Sequence, residues 1–170
     1  MKALIISDIH GDTESLDLII EKITKFKIDK LIILGDFCSY YSSSFDIADK
    51  LDSLKPMIEV VKGNCDTDEF INYFGIDMPI IKNISLNNKM ITITHGHIYN
   101  PYNLPNNCGK IFLSGHTHRK ELIRINNIII GNPGSIGRPR DGSKSYLLID
   151  DKGIYLKDLS DNIINFIKFS

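Results

Sequence analysis

Three short apolar runs, residues 2–7 (KALIIS), 30–34 (KLIIL) and 57–61 (MIEVV), alternate with two segments of helical period. This alternation constrains the fold more than any other feature. A run without polar alternation needs apolar cover on both faces, which is the mark of a buried, parallel strand. After the first run, Asp12 or Thr13 is placed to cap a helix whose residues Leu16, Ile19, Ile20, Ile23 and Phe26 share one helical stripe. After the second run, Ile47, Leu51 and Leu54 mark another helix, which Pro56 closes. The first 61 residues therefore read β-α-β-α-β, with right-handed crossovers between parallel strands.

The second half changes character. Residues 80–86 and 89–94 predict a hairpin about Asn87-Asn88-Lys89, and further strands are expected at 110–114, 121–125, 128–130, 146–149, 154–159 and 163–169. Asn126-Asn127 and Asp151-Lys152-Gly153 are turn signals between them. One domain over residues 1–170, built on two sheets, is the simplest organisation. The last segment is apolar on both faces, so it can complete a sheet or meet a second subunit, which leaves a dimer or tetramer open.

Hydrophobic residues at 42% and charged residues at 24% exclude disorder and fibrous classes. No apolar run approaches membrane-spanning length, and Asp8 and His10 interrupt the first one before a secretory signal could form. Cys38, Cys65 and Cys108 are odd in number and widely spaced, which fits neither a zinc motif nor a disulfide framework; a reducing cytoplasm is expected. A net charge of −1 argues against long nucleic-acid polymers as partners.

The polar residues point elsewhere. All five histidines, His10, His95, His97, His116 and His118, lie just after predicted buried strands. So do Asp8, Asp36, Asn64 and Asp66. The carboxyl ends of strands are where α/β proteins build sites. Asp8-Ile9-His10 and His116-Thr117-His118 each set two ligand-type side chains two apart, and Gly11, Gly35, Gly63, Gly96 and Gly115 flank the clusters. Taken singly, an aspartate after a strand is more often a turn or cap, and a single histidine more often an ordinary surface or core residue. The joint pattern is what argues for metal. Imidazole and carboxylate donors suit zinc, manganese or iron, and the Asn64 carbonyl leans the set toward manganese.

The order Asp8-Ile9-His10, Gly35-Asp36, Gly63-Asn64-Cys65-Asp66, His95-Gly96-His97 and Gly115-His116-Thr117-His118 resembles the calcineurin-like metallophosphoesterase family. Asn132-Pro133-Gly134-Ser135 is a further family-like turn, and the short stretch between His97 and Gly115 is most similar to the small bacterial YfcE-type phosphodiesterases. The resemblance implies a four-layer αββα sandwich, two mixed β-sheets flanked by helices. It implies a dinuclear centre in which Asp8, His10 and His118 hold one divalent ion, Asn64, His95 and His116 hold the other, and Asp36 bridges. Manganese leads among the metals, with nickel, zinc and iron behind it. A hydroxide spanning the pair would attack the phosphorus of a small phosphodiester, with His97 balancing charge on the phosphoryl oxygens. Where many relatives carry a histidine that assists the leaving group, this chain has Cys65, either a catalytic participant or a small filler. Arg138 and Arg140, in a polar loop, are candidates to clamp phosphate. A phosphomonoesterase or nuclease on the same centre is the alternative enzyme. A protein-binding scaffold, as in a retromer subunit of similar fold, is the alternative of another class, and the complete ligand set argues against it.

Overall fold

A computed structural model describes residues 1–41 and 44–169. The opening β-α-β-α-β is present. β1 (Ala3–Ile6), β2 (Lys30–Ile33) and β3 (Ile58–Val60) run parallel, with α1 (Thr13–Phe26) and α2 (Phe45–Leu51) between them. Asp12 caps α1 by accepting a hydrogen bond from the Ser15 amide at 2.9 Å. α2 is shorter than its apolar spacing suggests. It passes into a 3₁₀ turn, Asp52–Met57, because Pro56 has no N–H for an α-helical bond.

α3 (Asp68–Phe74) is an element that the periodicity reading left out. Its signals were local: Thr67 caps the Phe70 amide, Phe70 and Phe74 form a one-turn apolar pair, and Gly75 ends it in left-handed conformation. A seven-residue helix is too short to show a period, and it is held by burial of those two rings.

The remaining strands are β4 (Ile81–Leu86), β5 (Lys89–Thr94), β6 (Ile111–Leu113), β7 (Lys120–Ile125), β8 (Ile128–Pro133), β9 (Ser145–Ile149), β10 (Gly153–Asp158) and β11 (Ile163–Lys168). They complete two mixed sheets, a six-stranded one ordered β11-β10-β9-β1-β2-β3 and a five-stranded one ordered β4-β5-β6-β8-β7. Asn87 and Asn88, both at positive φ, make the tight turn of the β4–β5 hairpin. β11 takes the sheet-completing role and forms an edge, leaving Ile163 and Ile164 exposed.

Strand alternation divides the core. Leu4, Ile6, Leu31 and Ile33 face the three helices, while Ala3, Ile5, Ile32 and Leu34 face Ile91, Ile93, Ile111 and Leu113 of the second sheet. Each fully buried Ile or Leu contributes about 1.5–3 kcal/mol by leaving water, so both layers are strongly held. The two mixed sheets and flanking helices of the expected sandwich are therefore present. The outer cover of the second sheet is the one difference. Among the described residues no helix lies there; Thr92 and Phe112 face outward and are fully buried, and the irregular segment between β5 and β6 reaches Thr92 through the Gly109 amide. Its Gly, Asn and Pro content explains why it is not helical. No described helix is long and apolar enough to cross a membrane.

Candidate active site

The parallel directions of β1, β2 and β3 in one sheet, and of β5, β6 and β8 in the other, bring six carboxyl ends to one edge. The backbone there is unusual. Asp8, His10, Asp36, His116 and His118 all have positive φ, between 48° and 69°, a region that costs a residue with a Cβ of order 1–3 kcal/mol. Close approach of the loops supports it. A Cβ on Gly63 would run into the Asp36 carboxylate, and one on Gly115 would run into Ser7 and the Asp8 carboxylate.

Three imidazoles are oriented by main-chain carbonyls. Nδ1 of His10 donates to the Cys38 carbonyl at 2.8 Å, Nδ1 of His95 to Leu34 at 2.6 Å, and Nδ1 of His118 to Arg138 at 2.7 Å. A carbonyl only accepts, so each Nδ1 carries the proton and each Nε2 presents its lone pair inward. The inward atoms then crowd together. Nε2 of His10 and His118 are 3.2 Å apart, and Asp8 Oδ1 lies 3.6 and 3.2 Å from them, buried and without a hydrogen-bond partner among the described residues. Asp36 Oδ2 lies 3.6 Å from His10 Nε2 and 3.4 Å from His95 Nε2. His95 Nε2 is also 3.0 Å from Asn64 Oδ1. Lone pairs facing lone pairs and carboxylates call for a cation. Asp8, His10 and His118 form one group with metal-ligand spacing, and Asp8, Asp36 and His95 form another. The donors therefore fit divalent ions.

The charges follow from the same contacts. Burial alone would raise Asp8, but His10 and His118 outweigh it and hold its carboxyl well below the usual range. Burial likewise opposes the lowering of Asp36, which contact with His95 achieves. Contact with Asp8 raises His118, and contact with Asp36 raises His95 against its own burial. Burial, then the neighbouring His95, lowers His97 and His116. His116 is exposed beside His95, with ring centroids 5.1 Å apart, and its amide donates to Asp8 Oδ2 at 3.0 Å. His97 is half-buried, with its ring 5.3 Å from that of His95.

Cys65 belongs to the site through its main chain and through its sulfur, which shares ligand spacing with His10 and Asp36. Its amide donates to Asp36 Oδ1 at 2.8 Å, while burial and then Asp36 push its thiol up to about 12, so the sulfur stays protonated near neutral pH. Asp66 ties two strand ends together. Its buried carboxylate accepts amide bonds from Asp36, Phe37, Cys38 and Gly63. Ser135 supports the first cluster by donating to the Asp8 carbonyl at 2.7 Å and accepting from the Arg138 amide at 2.7 Å. Asn132 donates to the Gly115 carbonyl. The strand-end position of Asp66 and the turn signature of 132–135 hint at these supporting roles, but not at the partners, which lie far away in sequence.

An open cleft of about 570 Å³ exposes the centre, and Tyr40, Cys65, Arg138 and Arg140 form its walls. Both arginines foreseen as phosphate contacts thus stand beside the ligand cluster. A larger cavity of about 780 Å³, between Lys89, Lys110, Arg124 and Phe169, has neither histidine nor carboxylate in its lining.

Residues 1–153 match the family model described as the calcineurin-like phosphoesterase superfamily domain. Phosphodiesterase YfcE of Escherichia coli K12 is 29% identical over 177 aligned positions, which cover 96% of this chain and 95% of that protein. The solved structure of YfcE, a phosphoesterase from E. coli, matches with a TM-score of 0.93 at 25% identity over the whole of both chains. Vacuolar Protein Sorting 29 from Cryptosporidium parvum matches with a TM-score of 0.73 at 22% identity, over 99% of this chain and 97% of that one, a likeness of fold alone.

Proposed function

The chain belongs to the calcineurin-like phosphoesterase superfamily, and from that premise we propose that it is a metal-dependent phosphodiesterase. The observation that carries the reading is the convergence of three outward-tethered imidazoles, through their bare Nε2 atoms, on the carboxylates of Asp8 and Asp36. Asp8, His10 and His118 hold one divalent ion, Asn64, His95 and His116 hold a second, and Asp36 touches both. The position of Asp36 Oδ2 between His10 and His95 supports the bridging role. Manganese is the first choice for this mixed nitrogen and oxygen set, with nickel, zinc or iron as alternatives. Such ions supply a water of lowered pKa and a positive field for the phosphoryl oxygens.

The chain's own groups do the rest. Arg138 and Arg140 draw the anionic ester into the cleft and neutralise part of its charge. His97, neutral at pH 7, donates to a non-bridging phosphoryl oxygen. Cys65 contributes its amide, which fixes Asp36, while its thiol, raised by burial and by Asp36, is a poorer general acid near neutral pH than an imidazole. The three widely spaced cysteines, with no disulfide framework among them, support a cytoplasmic setting.

The test is hydrolysis of bis(p-nitrophenyl) phosphate and of p-nitrophenyl phosphate by protein stripped with chelator and reloaded with Mn²⁺, Ni²⁺, Zn²⁺ or Mg²⁺. Metal-dependent turnover, faster on the diester, is expected. Faster turnover of the monoester would make the chain a phosphomonoesterase, and no turnover with any ion would leave the scaffold reading.

A further inference from the structure

A phosphodiester carries two organic arms, and two clefts flank this centre. The first is the one walled by Arg138 and Arg140. The second, about 610 Å³, lies on the other side of His116, which borders both; His97, Pro101, Tyr102, Arg119 and Glu121 are among its walls. Apart from His116, none of the proposed metal-holding residues lines it.

The second cleft is built to receive something. Tyr102 is fully exposed, yet it stands on a fixed turn: the amides and carbonyls of Asn100 and Asn103 bond reciprocally at 3.3 and 2.9 Å, and Asn100 Oδ1 accepts the Tyr102 amide at 2.9 Å. Its ring is therefore presented without the entropy cost of ordering a loose loop. The neighbouring cations differ. Lys120 is tied to Asp141 at 2.9 Å, whereas the Arg119 guanidinium has no hydrogen bond or ion pair among the described residues.

We propose that this cleft is the subsite for the retained arm of the diester, that it takes an aromatic group stacked on Tyr102 and flanked by Arg119, and that the departing arm lies in the first cleft. The inference rests on the phosphodiesterase reading. In hydrolysis the bond from phosphorus to the departing oxygen breaks, a bond to the water oxygen forms, one water proton ends on the departing alcohol and the other stays with the monoester product or passes to solvent, and the other ester bond stays intact. Negative charge grows on the departing oxygen, and the first cleft offers it two guanidinium groups while its carboxylate, Asp36, is committed to metal. In the second, Lys120 is tied to Asp141 and Glu121 stands with Arg119, so the departing arm belongs in the first.

Binding and turnover test this separately. Calorimetry on zinc-loaded protein uses diphenyl phosphate, with dimethyl phosphate as the probe without aromatic arms. Tyr102→Ala and Arg119→Ala should each weaken diphenyl phosphate about 3–10-fold, the range of single aromatic and cation–π contacts, and leave dimethyl phosphate unchanged. In turnover, both variants should raise KM for bis(p-nitrophenyl) phosphate by a similar factor and spare methyl p-nitrophenyl phosphate, whose retained arm is a methyl group. Tyr102→Phe should restore the parent behaviour. Equal losses on both diesters, or no loss on either, overturn the subsite while phosphodiesterase activity stands. If no ester turns over but diphenyl phosphate binding still depends on Tyr102 and Arg119, the catalytic reading falls and the aromatic subsite remains.

Discussion

The two halves of the proposed metal centre are built differently. On one side, His10 and His118 are tethered to main-chain carbonyls, Asp8 is fully buried, and Ser135 holds the Asp8 carbonyl. On the other side only His95 is tethered in this way; Asn64 and His116 are exposed, and the Asn64 amide contacts the exposed Tyr40 hydroxyl at 3.2 Å. The first half is preorganised by the fold, and the second is completed by surface side chains that still have rotamer freedom to lose. Ordering long or exposed side chains costs binding energy, so the first half should hold its ion more tightly and exchange it more slowly.

The largest effect belongs to the residue that joins the halves. Asp36→Ala removes the carboxylate whose Oδ2 lies between His10 and His95, and it also frees the Cys65 amide that the carboxylate accepts. Loss of bound metal at both positions is expected, with activity reduced on the order of 10³-fold or more, as elemental analysis and diesterase assays would read. Two ions retained with near-normal turnover would break the picture of a shared ligand. A smaller effect separates the halves. His118→Ala should weaken the tighter ion, and Asn64→Ala the looser one, each about 10–100-fold by calorimetric titration. Identical losses of both ions in both variants would mean that the centre binds metal as a single unit.

The sequence shows the preorganised half and the open half equally well, because ligand type and spacing are local. Asp8-Ile9-His10 and His116-Thr117-His118 are readable as pairs, and their positions after apolar runs place them at strand ends. The difference between the halves is not readable. It depends on which carbonyl each Nδ1 reaches, and Cys38, Leu34 and Arg138 lie 28, 61 and 20 positions away from their histidines. The same limit applies to the fold. The parallel core of β1, β2 and β3 follows from its apolar runs, whereas α3 is too short to show a period, and the outer face of the second sheet is covered by an irregular segment rather than by a described helix.

Asp66 couples the two halves from beneath. Oδ2 accepts the Asp36 and Gly63 amides, and Oδ1 accepts those of Phe37 and Cys38. This holds Asp36 in its left-handed conformation from a distance. Asp66→Asn turns one acceptor into a donor that faces amide N–H groups, so two hydrogen bonds are lost and replaced by repulsion. Metal affinity should fall about 10-fold, with the loss shared by both ions because Asp36 serves both. A loss confined to one ion would show that Asp36 belongs to that half alone.

The smallest effect lies outside the centre and tests whether the contrast is local. Asp161 joins α1 to the turn before β11: Lys22 and Lys25 reach its carboxylate at 2.6 and 2.5 Å, and the Tyr146 hydroxyl donates to it at 2.8 Å. Burial would raise its pKa, but Lys22, Lys25 and Tyr146 outweigh burial and hold it well below the ordinary carboxylate range. A carboxylate depressed on folding stabilises the protein fully above its unfolded pKa of about 3.9, and that contribution fades as pH falls toward the folded value. Asp161→Asn is the suitable probe, because asparagine also tolerates the positive φ of 71° at this position. The variant should lose about 1 kcal/mol at pH 7, since partly exposed ion pairs are screened by solvent, and the gap from the parent should narrow as pH falls below 4. Protons compete with metal for imidazole nitrogens at higher pH than for carboxylate oxygens, so acid release of metal should precede this stability loss and be the same in both proteins. Chemical denaturation across pH 2–7, with metal content measured at each point, separates the two events. If Asp161→Asn shifts metal release as well, the two halves of the centre are not insulated from the helical layer, and their difference cannot be assigned to local tethers alone.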